Sequence, residues 1–248
     1  MIVEICNDRD HVTQKLLSLF CEKVKECLKT KKIVKIAVAT GNTYSDFLKR
    51  LHEMDIPFNK IDLFVVDEYV GVDCEDERSC TIDLCRELKQ VHRFHQTFFF
   101  SAETYLEQMK VLNAKLVNDP LDIVLLGIGN DGHFAFCNRN EQYLSKDTYS
   151  IVHFTNSDIE KQVEYGWFPS SEEVPKEGIT ITKYGVLKSG TVILAGFQKE
   201  KGKILKMILA NGVPKEMAIY DIVQRNDVIL VLERGEKGIR DSYEKNRN

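Results

Sequence analysis

The 248-residue sequence lacks any long uninterrupted apolar stretch. A helix that spans a bilayer needs about 18 or more consecutive apolar residues, and no run in this chain approaches that length. The first residues, MIVEICNDRDH, mix acidic with apolar side chains and lack the charged-then-apolar order of a secretory signal peptide. We therefore expect no membrane association and no secretion.

Paired cysteine spacing is also missing. The seven cysteines are odd in number and show no C-x-x-C pattern. This suits neither a disulfide framework nor a structural zinc site. We expect a reducing environment, namely the cytoplasm, and no metal site.

An excess of positive charge is absent as well. The chain has 34 Lys and Arg against 38 Asp and Glu, a formal net charge of -4, and its one dense basic run is KTKK at 29–32. Proteins that bind the phosphate backbone of nucleic acids normally carry a strongly basic face. Nucleic acid is therefore not expected as a partner.

Helical periodicity is present in four segments, where apolar residues recur at spacings of three and four. The first of these holds Val12, Leu16, Leu19, Phe20, Val24 and Leu28. The four predicted amphipathic helices cover about residues 10–29, 45–54, 104–117 and 201–210.

Short, nearly unbroken apolar runs lie between these helices. Strands that are apolar on both faces are covered on both sides, and their alternation with helices indicates a mostly parallel sheet. The sequence predicts an α/β three-layer sandwich, with a Rossmann-like central sheet flanked by helices, in a single domain over residues 1–248. The predicted strands are 33–39, 61–66, 121–128, 190–197 and 227–233.

Residues 137–178 fit this alternation poorly. They combine polar and charged clusters with the segment EYGWFPSSEEVPKEG at 164–178. Excursions of this kind from the core of α/β enzymes often serve as lids over the active site. We expect this region to be a lid.

Polar and ionisable residues follow four of the predicted strands. In an open parallel sheet the ligand binds outside the carboxyl ends of the strands. These strand ends therefore predict one shared site. They hold Thr40, Gly41, Asn42 and Thr43; Asp67, Glu68 and Tyr69; residues 127–133; and Gln198 with Lys199.

The third strand end reads GIGNDGHFAF at 127–136 and contains a literal G-x-G-x-x-G. A dinucleotide fingerprint needs an acidic residue at the end of the next strand, whereas the next plausible strand here, YSIVHF, ends in Thr155 and Asn156. The alternative is a sharp turn that presents Asp131 and His133 to the cleft. A carboxylate and an imidazole placed this way suit proton transfer near neutral pH, and we favour this interpretation.

Four segments together resemble a known family. They are the Thr-Gly turn at 40, DEYVG at 67–71, GIGNDGHFAF at 127–136 and GFQK at 196–199. In this order they are similar to the glucosamine-6-phosphate deaminases, whose superfamily also holds the 6-phosphogluconolactonases. The tyrosine in DEYVG favours the deaminases, since the lactonases usually carry Asp-Glu-Arg at that place.

The resemblance implies a deaminating isomerisation of an amino-sugar 6-phosphate to a ketose 6-phosphate and ammonia. Asp67 matches the residue that moves a proton between C2 and C1. His133 matches the acid/base that opens the sugar ring, and Asp131 would orient it. Thr40, Gly41, Asn42 and Thr43 resemble the family's phosphate loop, and Lys199 would add a positive charge. No metal or organic cofactor is implied.

Departures from the family pattern fall at three places, all in the ring-opening and phosphate-holding parts. Asn42 and Tyr44 stand where the family's loop usually has glycine and proline. Asn138 stands where the family has a glutamate beside the histidine, and Glu141 is a candidate replacement. In the lid, where a phosphate-clamping arginine is expected, the nearest cation is Lys161.

These departures leave alternatives open. A phosphogluconolactonase-type hydrolase would use His133 to activate water and leave Asp67 with little to do. A non-catalytic sugar-phosphate sensor would need neither residue for turnover. The family includes monomers and hexamers, so a homo-oligomer also stays open.

Overall fold

A computed structural model describes residues 1–73, 75–139 and 145–234 of the chain, except for the side chains of residues 198–200. Ten strands lie in these ranges. They are β1 (Ile2–Cys6), β2 (Val34–Val38), β3 (Ile61–Val65), β4 (Asp67–Tyr69), β5 (Gln96–Phe98), β6 (Ile123–Gly127), β7 (Tyr149–His153), β8 (Glu177–Ile181), β9 (Thr191–Gly196) and β10 (Ile229–Glu233).

Eight α-helices lie in the same ranges, together with single 3-10 turns at Phe58–Lys60 and Val91–Arg93. No helix of the described residues is long and apolar enough to cross a membrane. The helices are α1 (Arg9–Cys27), α2 (Ser45–Leu51), α3 (Cys80–Leu88), α4 (Tyr105–Leu116), α5 (Asn156–Glu164), α6 (Lys183–Lys188), α7 (Gln198–Leu209) and α8 (Tyr220–Val223).

Seven parallel strands form the main sheet, in the order β1-β10-β9-β6-β2-β3-β5. Every residue of β2 and of β3 is buried, because helices cover both faces of the sheet centre. The five strands and four helices that the sequence predicts are all present, within a few residues of the expected bounds. The fold is the expected α/β sandwich with a parallel central sheet.

A second, antiparallel sheet has the order β4-β8-β7 and was not anticipated. The YSIVHF segment forms β7 in this small sheet. The expected lid region, 137–178, contains β7 and α5 and reaches the start of β8. The antiparallel pairing with β8 places Asp67 opposite Thr180.

The order of the main sheet brings the four polar strand ends together. From β2 the chain moves outward through β3 and β5 on one side, and later through β6, β9 and β10 on the other. The direction of winding therefore reverses between β2 and β6, and a ligand-binding crevice is expected outside such a point. The strands β9, β6, β2 and β3 are direct neighbours, so their carboxyl ends meet at one edge of the sheet.

Candidate active site

A cavity of about 440 Å³ opens at this edge of the sheet. Its lining includes side chains from α3 and α5 in addition to the strand ends. Of the residues that the sequence singles out, the cavity wall contains Thr40, Gly41, Asn42, Thr43, Asp67, His133, Asn138 and Lys161.

The turn after β6 presents His133 to the cavity. It is closed by two backbone hydrogen bonds, from Gly129 N to the His133 carbonyl at 2.8 Å and from Gly132 N to the Gly129 carbonyl at 3.0 Å. The imidazole lies so close to Gly129 that a Cβ there would be 2.1 Å from the ring. Glycine is required at 129 because the imidazole of His133 folds back over it.

Asp131 holds the imidazole of His133 through a 2.6 Å contact between Oδ1 and Nδ1. Its other oxygen, Oδ2, lies 2.5 Å from Nζ of Lys161 in α5. Burial alone would raise the pKa of Asp131, but the hydrogen bond and charge of His133, together with Lys161, outweigh burial and hold that pKa far below its usual value. An ionised carboxylate only accepts hydrogen bonds, so Nδ1 of His133 carries the proton in this contact. Nε2 is then the ring nitrogen that can exchange a proton with a ligand.

Asp67 lies in the same cavity at the start of β4, with 9% of its surface exposed. Burial, reinforced by the neighbouring charge of Glu68, raises the pKa of Asp67 to about 7, although a hydrogen bond with Cys80 acts in the opposite direction. A carboxyl group with such a pKa exchanges protons readily at neutral pH. Asp67 therefore has the properties of an acid/base.

Glu68 has a different environment from its neighbour. Its carboxylate accepts hydrogen bonds from the backbone N–H groups of Tyr69, Cys80 and Thr81 at 2.8–3.0 Å and from the Ser79 hydroxyl at 2.6 Å. These donors surround the beginning of α3. Glu68 thus anchors α3 and takes no part in lining the cavity.

The 40–43 loop joins β2 to α2 despite its two departures from the family pattern. Gly41 has φ of +77°, whereas Asn42 is not among the residues with positive φ, so only the glycine needs left-handed backbone. Tyr44 is fully buried, and its hydroxyl donates to the carbonyl groups of Leu126 and Ile193. The tyrosine therefore fixes the loop to β6 and β9 where the family has a proline.

A lysine that the sequence argument missed reaches this loop. Nζ of Lys201, in the first turn of α7, donates to Oγ1 of Thr43 at 2.9 Å. The side chain of Lys199, the expected cation, lies outside the described residues. The place of Lys201 at the start of the helix after β9 is a signal in the sequence that could have suggested it. Lys199 lies at the same helix start, so the sequence does not show which of the two lysines reaches the loop.

The supporting residues have different outcomes. Asn138 lines the cavity, and its side-chain amide lies 3.5 Å from the Phe136 carbonyl. Glu141 lies outside the described residues. Lys161, expected near the phosphate, pairs with Asp131. Sequence reasoning also missed the contact of the Tyr69 hydroxyl with Oε1 of Gln162 at 2.6 Å.

Comparison with known proteins places these features in a family. Residues 7–230 match the family model described as glucosamine-6-phosphate isomerases/6-phosphogluconolactonase. The glucosamine-6-phosphate deaminase of Streptococcus sanguinis is 27% identical over 221 residues, covering 88% of this chain and 90% of that protein. The glucosamine-6-phosphate deaminase of Enterococcus faecalis is 26% identical over 201 residues, covering 80% of this chain and 84% of that protein.

Solved structures share the fold. A monomeric glucosamine-6-phosphate deaminase matches with a TM-score of 0.78 at 21% identity, covering 94% of this chain and 98% of that one. The 6-phosphogluconolactonase of Thermotoga maritima matches with a TM-score of 0.73 at 18% identity, covering 94% and 99% of the two chains. The family match spans most of the sequence and includes all four strand ends of the site. The chain belongs to the glucosamine-6-phosphate isomerase/6-phosphogluconolactonase family of enzymes.

Proposed function

We propose that this protein is a deaminating aldose–ketose isomerase that converts glucosamine 6-phosphate or galactosamine 6-phosphate, with water, into a ketohexose 6-phosphate and ammonia. The observation that carries this proposal is the buried carboxyl group of Asp67, with its pKa raised to about 7, in one cavity with His133, whose imidazole is held by Asp131. Ring opening and proton transfer at carbon need two separate acid/base groups, and these are two such groups. The substrate is a phosphorylated amino sugar.

His133 opens the sugar ring in this mechanism. Its Nε2 takes the proton of the anomeric hydroxyl and gives it to the ring oxygen, while Asp131 holds Nδ1 in place. Asp67, as a carboxylate, then takes the proton from C2 of the open chain and returns it at C1. In the same shift the C1 carbonyl oxygen gains a proton and the C2 amine loses one, so that C1 becomes a hydroxymethyl group and the amine becomes an imine. Water then hydrolyses that imine to the ketose and ammonia.

The phosphate group binds at the 40–43 loop. A loop that leads into a helix offers backbone N–H groups to an anion. Thr43 adds a hydroxyl, and Lys201 adds a positive charge within 2.9 Å of that hydroxyl. Lys199 stays a further candidate for the same role, because it lies two residues earlier in α7.

A cytoplasmic location follows from the same proposal. Cys6, Cys21, Cys27, Cys80 and Cys137 are free thiols, which suits a reducing compartment. The phosphorylated substrate of such an enzyme is also found inside cells.

The test measures ammonia and ketose phosphate release from the two amino-sugar phosphates, with hydrolysis of 6-phosphogluconolactone followed on the same preparations. The unaltered protein should release ammonia. Asp67→Asn should lower the rate of ammonia release by about three orders of magnitude, because the asparagine amide cannot carry the C2 proton. A matched control is Asp62→Asn, which changes another buried aspartate of the preceding strand, close to its amino end.

Other results would overturn the proposal in distinct ways. Lactone hydrolysis that survives in Asp67→Asn, with no ammonia from either sugar, would identify a lactonase. Heat stabilisation by a sugar phosphate without any turnover would identify a sensor. Turnover that is lost in His133→Gln excludes the sensor.

A further inference from the structure

Helix α5 and the residues that follow it, up to Trp167, form a cap over the cavity. This cap, residues 156–167, touches the site at three places. Lys161 meets Asp131, Gln162 meets the Tyr69 hydroxyl, and the ring of Trp167 lies 3.4 Å from the point that a Cβ on Gly41 would occupy. One short segment therefore contacts the 127–133 turn, strand β4 and the 40–43 loop.

The positive charge of the cap, that of Lys161, lies at the 127–133 turn rather than at the 40–43 loop. Nζ of Lys161 is 2.5 Å from Oδ2 of Asp131, and the cation next to Thr43 is Lys201 from α7. Burial would lower the pKa of Lys161, but the pairing with Asp131 outweighs burial and raises it. Lys161 is therefore a permanent cation that shares one carboxylate with His133.

Two contacts on two different oxygens restrict the rotation of the Asp131 carboxylate. Oδ1 accepts from Nδ1 of His133 while Oδ2 accepts from Lys161. Oδ1 also accepts from the backbone N–H of His133 at 3.2 Å, so His133 holds one carboxylate oxygen and Lys161 holds the other. The side chains are partly shielded, with 39% exposure for Asp131 and 29% for Lys161, so the pair is screened less than a fully exposed one.

We propose that Lys161 is a positioning residue for the Asp131–His133 pair, and that it acts from the cap rather than as a phosphate ligand. Lys161 fixes Asp131, Asp131 fixes the imidazole with its proton on Nδ1, and Nε2 is thereby aimed at the sugar ring. Asn138, which stands at the place of the family's glutamate, supplies no charge, and Lys161 constrains the dyad through Asp131. This inference rests on the proposed function for its kinetic part.

The kinetic test compares Lys161→Met and Lys161→Arg. Methionine keeps most of the aliphatic stem and removes the charge, so we expect kcat to fall by about 10- to 100-fold, the usual cost of a misplaced catalytic group. Arginine should restore kcat to within about fivefold, since it can pair with the same carboxylate. The dissociation constant for inorganic phosphate, obtained from the rise in melting temperature, should stay within about twofold in both variants because phosphate binds at the 40–43 loop.

Lys31→Met is the matched control. Lys31 also lies 2.5 Å from an aspartate oxygen, Oδ1 of Asp122, but this pair precedes β2 and β6 at the opposite edge of the sheet. Its loss removes an ion pair of the same length and should leave kcat unchanged. A fall in kcat as large as that of Lys161→Met would show a general effect on the fold and would overturn the assignment.

A second readout needs no turnover. In protein labelled with ¹⁵N at histidine, the His133 ring is assigned by its loss in His133→Gln, and long-range ¹H–¹⁵N spectra identify which nitrogen carries the proton. We expect the Nδ1–H form in the unaltered protein and in Lys161→Arg, and a mixture of both tautomers in Lys161→Met. This result stands even if no amino sugar is turned over, so it separates the role of Lys161 from the proposed function. An unchanged tautomer in Lys161→Met, or a tenfold loss of phosphate affinity, would overturn the inference.

Discussion

Two adjacent carboxyl groups, those of Asp67 and Glu68, have opposite environments. Glu68 accepts three hydrogen bonds from groups at the start of α3 and a fourth from the backbone N–H of Tyr69 in β4. Asp67 is buried beside the negative charge of Glu68, and these two effects raise its pKa to about 7 against the opposing effect of a hydrogen bond with Cys80. Because side chains alternate along β4, Glu68 faces the start of α3 and Asp67 faces the cavity.

Removing the charge of Asp67 should stabilise the protein above neutral pH. Its pKa is raised from 3.8 to about 7 on folding. The stabilisation that its protonated form provides is fully present below about pH 4 and is lost as the pH rises through about 7. At pH 8 we expect the free energy of unfolding of Asp67→Asn to be about 2–4 kcal/mol higher than that of the unaltered protein.

Urea unfolding of both proteins at pH 4.5 and at pH 8 measures this difference. The advantage of the variant should shrink toward the lower pH, where both side chains are neutral in the folded state. A variant that is less stable than the unaltered protein at pH 8 would show that ionised Asp67 is well solvated or paired.

At the scale of elements, α3 is the helix whose start borders the proposed acid/base. Ser79 caps this start by accepting from Thr81 N and Ile82 N, and Glu68 binds the same turn from β4. Because Cys80 is both the first residue of α3 and a partner of Asp67, the position of the helix fixes the surroundings of Asp67. Glu68 thus contributes to the site indirectly.

Replacing Glu68 by glutamine should therefore destabilise the protein strongly. The amide has one acceptor oxygen where the carboxylate has two, and its NH₂ group would face backbone donors. We expect a loss of about 2–4 kcal/mol in the free energy of unfolding, as for a buried charged acceptor whose partners are left unsatisfied. Chemical denaturation measures it.

Glu26→Gln provides the comparison for this change. Glu26 pairs with Lys23 on the exposed side of α1, with 58% of its side chain accessible to solvent. Loss of an exposed pair of this kind should change the free energy of unfolding far less than Glu68→Gln does. Equal effects of the two substitutions would refute the anchoring role of Glu68.

At the scale of the whole molecule, the sequence was sufficient to predict the five inner strands of the main sheet and the edge at which the polar strand ends meet, but not the outer strands β1 and β5. Runs that are apolar on both faces identify covered parallel strands, and the general rule for such sheets places ligands at their carboxyl ends. The residues that follow β2, β3 and β6 could be listed from this rule alone. The positions of Asp67 and His133 in the wall of one cavity agree with it.

What the sequence did not predict depends on packing between distant segments. β4 has three residues, DEY, too few and too polar to show a strand pattern. The pairing of Lys161 with Asp131 joins residues 30 positions apart, and that of Lys201 with Thr43 joins residues 158 apart. A lysine carries no local signal of its partner, because its long side chain can reach many neighbours.

The most direct test of the account is the pH dependence of kcat/KM for ammonia release from the preferred amino-sugar phosphate. Asp67 must be ionised to take the C2 proton, and its pKa lies at about 7. We predict that kcat/KM falls about tenfold per pH unit below this value and levels off above it. A rate that stays constant down to pH 5 would contradict the account, because it would mean that the essential carboxylate has an ordinary pKa or is not Asp67.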